Sequence, residues 1–140
     1  MNGVLDVVLK NDLSEIQRLS VLAETFSGEQ ALPSSALFDM NLVLEEIISN
    51  VIKYAYNDDG AHQIMVRLRV HGDELSIEVE DDGLPFNPLE APTPDITQPL
   101  EERPIGGLGL HLVKKIMDTI QYSRTNGINH LVMRKRISGQ

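Results

Sequence analysis

Cysteine is absent from this 140-residue chain. That excludes disulfides, thiolate metal sites and a cysteine nucleophile, and it fits a reducing compartment. No apolar run approaches the roughly 20 residues that a membrane helix needs. The opening residues Met1-Asn2-Gly3-Val4-Leu5-Asp6 lack the basic-then-apolar layout of a secretory leader, so a cytoplasmic protein is expected. Basic residues are scarce over most of the length. Residues 1–110 hold 6 basic and 20 acidic side chains, or −14, whereas 111–140 hold 6 and 1, or +5. An acidic body repels phosphate backbones, so direct nucleic-acid binding is not expected. The basic tail leaves a protein contact open. Proline is nearly missing outside one stretch: six of the seven fall between residues 84 and 105.

What is present is ordinary for a folded domain. The hydrophobic fraction is 41%, and a chain of this length is expected to form one domain over residues 1–140 with its own core. Residues 3–10 are short and β-branched and read as a strand. Asn11 or Asp12 then caps a helix to about Phe26, with Leu13, Ile16, Leu19 and Ala23 on one face, and Ser27-Gly28-Glu29-Gln30 breaks it. Pro33-Ser34-Ser35 opens a longer helix to about Tyr56. Residues 62–70 and 75–80 alternate as strands around a His71-Gly72-Asp73 turn. The proline-dense stretch 84–105 supports no regular element. Gly106-Gly107-Leu108-Gly109 opens a helix to about Asp118, and a hairpin around Asn126-Gly127 closes the chain. This order predicts a two-layer α/β (α+β) sandwich, with a mixed, mostly antiparallel sheet and helices on one face.

Three places carry candidate chemistry. On the long helix, Leu37, Met40, Leu44, Ile47, Ile48, Val51 and Ala55 form the expected core stripe. Glu46, Asn50, Lys53 and Tyr54 are expected together on the opposite side. Alone, such a face is also what a solvated helix presents, with Glu46 and Lys53 as a weak pair. Next, Glu80-Asp81-Asp82-Gly83 leaves a strand and leads into the proline stretch, which places a buried carboxylate beside a tight backbone. Asp-Gly is equally a common turn. Finally, glycines at a helix start let backbone N–H groups approach an anion favoured by the helix dipole. The spacing of Gly106-Gly107-Leu108-Gly109 fits neither the Rossmann nor the P-loop pattern. The four histidines have no metal-like spacing.

In this order, Glu-x-x-x-Asn-x-x-Lys-Tyr on a helix, Asp-x-Gly after a strand and Gly-x-Gly-Leu after a long loop resemble the nucleotide-binding boxes of the GHKL (Bergerat-fold) ATPases. That superfamily includes gyrase, heat-shock chaperone ATPases, mismatch-repair ATPases and histidine kinases. Within it, the stretches from Leu44 to Tyr56, Asp81 to Pro88 and Gly107 to Asp118 are similar to the anti-sigma-factor serine/threonine kinases. The chain as given also begins without the helix pair and phospho-acceptor histidine expected of a histidine kinase.

The resemblance implies a site. Asn50 would hold Mg²⁺ beside ATP, and Glu46 would be the general base. Lys53 would meet phosphate, and Tyr54 would pack near adenine or ribose. Asp81 would read adenine, and Gly83 would let the backbone come close. Phe86 joins the ATP-binding set, while Gly106, Gly107, Leu108, Gly109 and Leu110 would cradle the phosphates. Residues 84–105 would be a lid. The implied partners are a STAS-type anti-sigma-factor antagonist, phosphorylated on serine or threonine, and a sigma factor or equivalent regulator; a homodimer is implied as well. The alternatives are a nucleotide-dependent binding module without phosphotransfer and a detached histidine-kinase ATPase domain. Three departures stand out: Pro85 where many relatives have glycine, Ile105 before Gly106, and Gly127-Ile128-Asn129-His130 in place of a Gly-Thr pair beside adenine. Asn129 is the candidate to serve there.

Overall fold

The structure is a computed structural model. It describes residues 2–85, 87 and 107–137, with only the backbone for 107–110. The elements follow the expected order. They are β1 (Asn2–Lys10), α1 (Glu15–Glu29), α2 (Ser34–Tyr54), β2 (Gln63–His71), β3 (Glu74–Asp81), α3 (Gly107–Ile116), β4 (Thr119–Thr125) and β5 (Ile128–Arg136). The strands form one sheet in the order β1-β2-β3-β5-β4. All four pairings are antiparallel, so no parallel pair occurs among the described strands.

Period-two alternation explains why one face of the sheet is dry. Val7, Leu9, Ile64, Val66, Leu68, Val70, Leu75, Ile77, Val79, Leu131 and Met133 point to that face. They form a single core with Leu19, Ala23 and Phe26 of α1 and with Met40, Leu44, Ile48 and Val51 of α2. Val113 of α3 and Met117 just beyond it join this core. The other face carries exposed Met65 and a row of charge, including the Arg67–Asp6 pair at 2.6 Å and the His130–Glu78 pair at 3.1 Å. Two turns set the register. Gly72 sits at φ +62° between β2 and β3, and Asn126 and Gly127 sit at φ +54° and +79° between β4 and β5. Positive φ at both central residues suits the two-residue β4–β5 hairpin, and positive φ at the first alone suits the β2–β3 hairpin.

The helix ends differ from expectation. Asp12 does not cap α1 directly; its Oδ1 accepts from the Ser14 N–H at 2.9 Å and the Ser14 hydroxyl at 3.0 Å, in a turn that precedes the helix. At the other end α1 runs through Ser27 and Gly28. Ser27 is buried, which holds that turn in the helix. The stop comes at Ala31, in the left-handed region at φ +53°. The Leu32 N–H then donates to the Ser27 carbonyl at 3.0 Å, the closing bond of a Schellman end.

The exposed edge of β1 is partly covered. The Arg18 guanidinium donates to the Val8 carbonyl at 2.7 Å, and the Lys10 N–H donates to Glu15 Oε1 at 2.9 Å. Arg18 and the Lys10 N–H pull the Glu15 carboxyl down to about 2. Binding the free strand groups in this way blunts the edge against pairing with another chain.

Candidate functional site

The C-terminal half of α2 supplies one wall. Its buried arc is wider than expected, because Ala36, Val43 and Asn50 are buried beside the apolar stripe. At about 100° per residue, the group Glu46, Asn50, Lys53 and Tyr54 is centred roughly a quarter-turn from the middle of that arc, with Lys53 farthest round and Tyr54 within the arc's own angular range. They flank the core and do not stand opposite it, which corrects the sequence expectation. Asn50 is only 7% exposed, Glu46 is half-buried, and Lys53 and Tyr54 are exposed at the helix end. The Asn50 amide donates from Nδ2 to the Glu46 carbonyl at 2.5 Å, and the Ser49 hydroxyl donates to the same carbonyl at 3.2 Å. With Nδ2 turned back on the helix, Oδ1 is left as the acceptor end of the carboxamide.

The end of β3 meets the end of α2. The Leu84 N–H donates to the Ala55 carbonyl at 2.6 Å. A Cβ on Gly83 would lie 2.6 Å from both the Ala55 methyl and the Ala55 carbonyl oxygen. Gly83 is thus required by backbone packing against α2, a reason that the sequence did not reveal.

Asp81, 7% exposed, points inward from the last position of β3. Its Oδ1 accepts from the Gly83 N–H at 2.9 Å and from Asn129 Nδ2 at 2.9 Å. Burial pushes the carboxyl above its usual range, and Asp82 adds to that. The bonds from Asn129 and Gly83 and the charge of Arg124 pull the other way. Burial and the charges of Asp81 and Asp82 likewise raise the Tyr56 phenol, whose hydroxyl has no partner among the described residues. Tyr56 stacks on His62 with centroids 4.2 Å apart. His62 in turn sits between Asp58 at 2.8 Å and Asp82 at 3.2 Å.

A narrow slot opens here between the layers. Ile47 and Val51 of α2, Val79 and Asp81 of β3, Tyr122 of β4, and Asn129 and Leu131 of β5 line it. Its walls are apolar, with one carboxylate and one carboxamide on the strand side. At about 20 Å³ it has room for no more than the edge of a flat group that presents an N–H donor. A wider groove lies over the strand ends, lined by Asp12, Asp59, Glu80 and Asp82 among others. Its acidity makes it a poor place for phosphate, so the slot is the better candidate.

Gly107, Leu108, Gly109 and Leu110 form the first turn of α3, where the leading backbone N–H groups have no intrahelical acceptor. Phe86 and Gly106 lie outside the described residues, as does the expected lid 84–105 apart from Leu84, Pro85 and Asn87. Two participants were not anticipated, Tyr122 and Arg124. The Tyr122 hydroxyl donates to Asn129 Oδ1 at 2.5 Å. Arg124 donates to Asn129 Oδ1 and to the Gly83 carbonyl, both at 2.9 Å. The Asn126-Gly127 turn was the available signal, since it sets Arg124 opposite Asn129. The pairing of Asp81 with Asn129 is long-range and left no local trace.

The antiparallel five-stranded sheet backed by helices is the architecture of an ATPase-type domain. Residues 9–135 match the histidine kinase-like ATPase domain family, and the chain belongs to that family. Among curated proteins it is 29% identical over 96 residues to the serine/threonine-protein kinase BtrW of Bordetella bronchiseptica, covering 69% of this chain and 68% of that protein. It is 33% identical over 98 residues to the serine-protein kinase RsbW of Bacillus mycoides, covering 67% of this chain and 61% of that protein. The chain thus spans less than two thirds of the RsbW relative's length. Its fold matches a crystal structure of the RsbU and RsbW domains of a Mycobacterium tuberculosis protein. The TM-score is 0.68 at 15% identity, over 96% of this chain and 32% of the other. The histidine kinase AdeS of Acinetobacter baumannii matches with a TM-score of 0.52 at 17% identity, over 95% and 68% of the two chains. No helix among the described residues is long and apolar enough to cross a membrane.

Proposed function

We propose that this chain is a cytoplasmic serine/threonine protein kinase that uses ATP and Mg²⁺ and acts as an anti-sigma factor. Its substrate is a serine or threonine of a STAS-type anti-sigma-factor antagonist, and its other partner is a sigma factor or equivalent regulator. The observation that carries this reading is the buried Asp81 carboxylate at an apolar slot that Ile47 and Val51 share, on the helix that also bears Glu46 and Asn50. The serine/threonine kinase names of BtrW and RsbW support the choice of acceptor.

Each residue then has a task. Asp81 accepts from the exocyclic amine of adenine, while Ile47, Val51 and Leu131 line the slot that the edge of the ring enters. The first turn of α3, Gly107 to Leu110, donates backbone N–H groups to the phosphates, and Lys53 adds positive charge from the end of α2. Gly106 and Phe86 belong to the same set, and Tyr54 packs near the ribose. Residues 84–105 close over the nucleotide. The Asn50 Oδ1 suits Mg²⁺, which takes few protein ligands and completes its shell with phosphate and water. When bound, that ion offsets the charge of the phosphates in an otherwise acidic protein. Glu46 takes the proton of the acceptor hydroxyl as its oxygen bonds to the γ-phosphorus. The bond from that phosphorus to the β–γ bridging oxygen breaks, and ADP leaves.

Glu46→Gln tests this reading. Glu46 lies one turn, about 6 Å, from Asn50 along the helix, and holds neither base nor metal. The variant should keep ATP binding and partner binding, and lose about 10²–10⁴-fold in transfer to the antagonist. Transfer at the parent rate would remove Glu46 as the base. A parent that binds ATP and transfers nothing would leave a nucleotide-dependent binding module.

A further inference from the structure

His62 is held from both ring nitrogens. It lies in the loop from α2 to β2, with 19% of its side chain exposed. Nε2 is 2.8 Å from Asp58 Oδ1 in the same loop, and Nδ1 is 3.2 Å from Asp82 Oδ1 just beyond β3. The ring stacks on Tyr56, past the end of α2, with 15° between the planes. The backbone is fixed as well. The His62 N–H donates to Asn11 Oδ1 at 3.1 Å, and the His62 carbonyl accepts from the Asn11 N–H at 3.2 Å.

Both partners are carboxylates, which only accept when ionised, so each contact needs an N–H on the ring. A neutral imidazole has one N–H and one lone pair, and serves only one of the two. At the other contact a lone pair would face a negative oxygen. The two bonds exist together only in the imidazolium. Asp58 is the better-held partner. Its Oδ1 also accepts from the Gly60 N–H at 2.7 Å, and the bonds from His62 and Gly60 hold its carboxyl below the usual range. The longer contact, to Asp82, is the one that a neutral ring gives up.

Asp82 stands between Asp81 in the slot and Gly83, which packs on Ala55. The next residue, Leu84, donates its N–H to the Ala55 carbonyl. We propose that His62 is a positioning residue for the end of β3: as an imidazolium it clamps Asp82 to the α2–β2 loop, and on deprotonation it releases Asp82 and loosens the Leu84–Ala55 junction beside the slot. The proton leaves Nδ1 for water, and the remaining Nε2–H keeps the bond to Asp58. Around the ring, Lys10 and Asp12 come from the end of β1, Asp58 and Asp59 from the loop, and Glu80, Asp81 and Asp82 from β3 and its exit. Tyr56 on the ring face is held neutral by burial and by Asp81 and Asp82. This acidic surplus favours the cation, and the Asp58 bond first of all raises His62 above its ordinary 6.5. The clamp is therefore set below 6.5 and is lost as pH rises through the raised value.

The test uses the intact chain, first without nucleotide. Titration of the His62 ring by NMR should give a midpoint above 6.5. Amide exchange, corrected for the intrinsic rate at each pH, reads the Leu84 N–H. Its protection should fall about two- to fivefold as pH rises through that midpoint, the range that exposed ion pairs give. His62→Gln should abolish this step. Asp82→Asn serves if the glutamine variant does not fold. It keeps the Tyr56 stack and the Asp58 bond, and its amide can meet either form of the ring, so it should lower the midpoint and abolish the step too. A midpoint at or below 6.5, or the same step in parent and variant, would mean that His62 only packs, and would overturn the proposal. A second arm measures ATP affinity in Mg²⁺ over the same window, and rests on the reading of the slot as a nucleotide site. The parent should weaken about two- to fivefold more than either variant. Equal weakening would overturn the link to the slot. A parent that shows the amide step but binds no ATP would overturn the nucleotide reading and leave the clamp standing, which is a distinct result.

Discussion

Gly83→Ala separates a packing role from a ligand role at the second box. The added methyl would sit 2.6 Å from the Ala55 methyl, 2.6 Å from the Ala55 oxygen and 3.0 Å from the Ala55 carbonyl carbon. Comfortable carbon contacts are about 3.5–4.0 Å, so roughly 1 Å of separation is needed. Neither neighbour is the end of a flexible chain. The Ala55 carbonyl is backbone at the end of α2, tied to the Leu84 N–H at 2.6 Å. Overpacking of this kind costs about 1–3 kcal/mol, and a lost hydrogen bond adds about 1. The reduced freedom of the unfolded chain returns about 0.4–1. The net is about 1–3.6 kcal/mol. At about 2.1 cal/mol/K per residue, unfolding entropy for 140 residues is about 0.3 kcal/mol/K, so the melting temperature should fall by about 3–12 °C.

The assay is thermal unfolding followed by circular dichroism without nucleotide. Ala55→Gly, placed in the same chain, removes the methyl clash but not the oxygen clash, so the pair should recover part of the loss and show coupling. A fall of less than about 2 °C, with ATP binding nonetheless lost, would refute the packing argument and return Gly83 to a ligand-contact role.

Three further outcomes follow from particular residues. Ala31→Gly should raise the melting temperature by about 2–3 °C, since the left-handed conformation at φ +53° costs alanine more than glycine; no gain would show that the α1 end adjusts around alanine freely. Asn50→Ala should abolish Mg²⁺-dependent ATP binding by calorimetry and also lower the melting temperature by about 3 °C, because a buried bond to the Glu46 carbonyl is lost. His62→Gln concerns pH. The bond to Asp58, then the Asp58 and Asp82 charges, raise the His62 value above its ordinary 6.5. The paired cation therefore adds stability below 6.5 and loses it as pH rises through the folded value. Melting measured across that window should be flatter in the variant, and identical pH dependence would show that these pairs contribute nothing.

Sequence signals carried the fold well where periodicity is local. The alternation of residues 62–70 and 75–80 located β2 and β3 to within a residue or so, and Asn126-Gly127 located the last hairpin. Helix ends read less well. Gly28 looked like a stop, but the buried Ser27 kept its turn helical and an alanine took the left-handed position. The α2 face misled for a related reason. A stripe drawn through Leu37 and Ala55 omits Ala36 and Val43, and so shifts the apparent core away from Asn50. Side chains on a helix flank are buried by what packs beside them, which the helix's own periodicity does not encode.

The candidate site divides along the same line. Glu46, Asn50 and Asp81 were legible because each lies within a short motif whose spacing has meaning on one element. The groups that determine how Asp81 behaves come from elsewhere: Asn129 through the β3–β5 pairing, Arg124 and Tyr122 through the hairpin that follows α3. Asn129 could be picked out only as an odd residue in place of a Gly-Thr pair, and nothing local showed that its amide would meet a carboxylate. A buried acid is ambiguous until its donors are counted, because burial and hydrogen bonding pull its proton in opposite directions. The strand order brings Asn129 to Asp81 with the nitrogen fixed inward, so a donor that opposes the effect of burial on Asp81 comes from the fold and not from the motif around it.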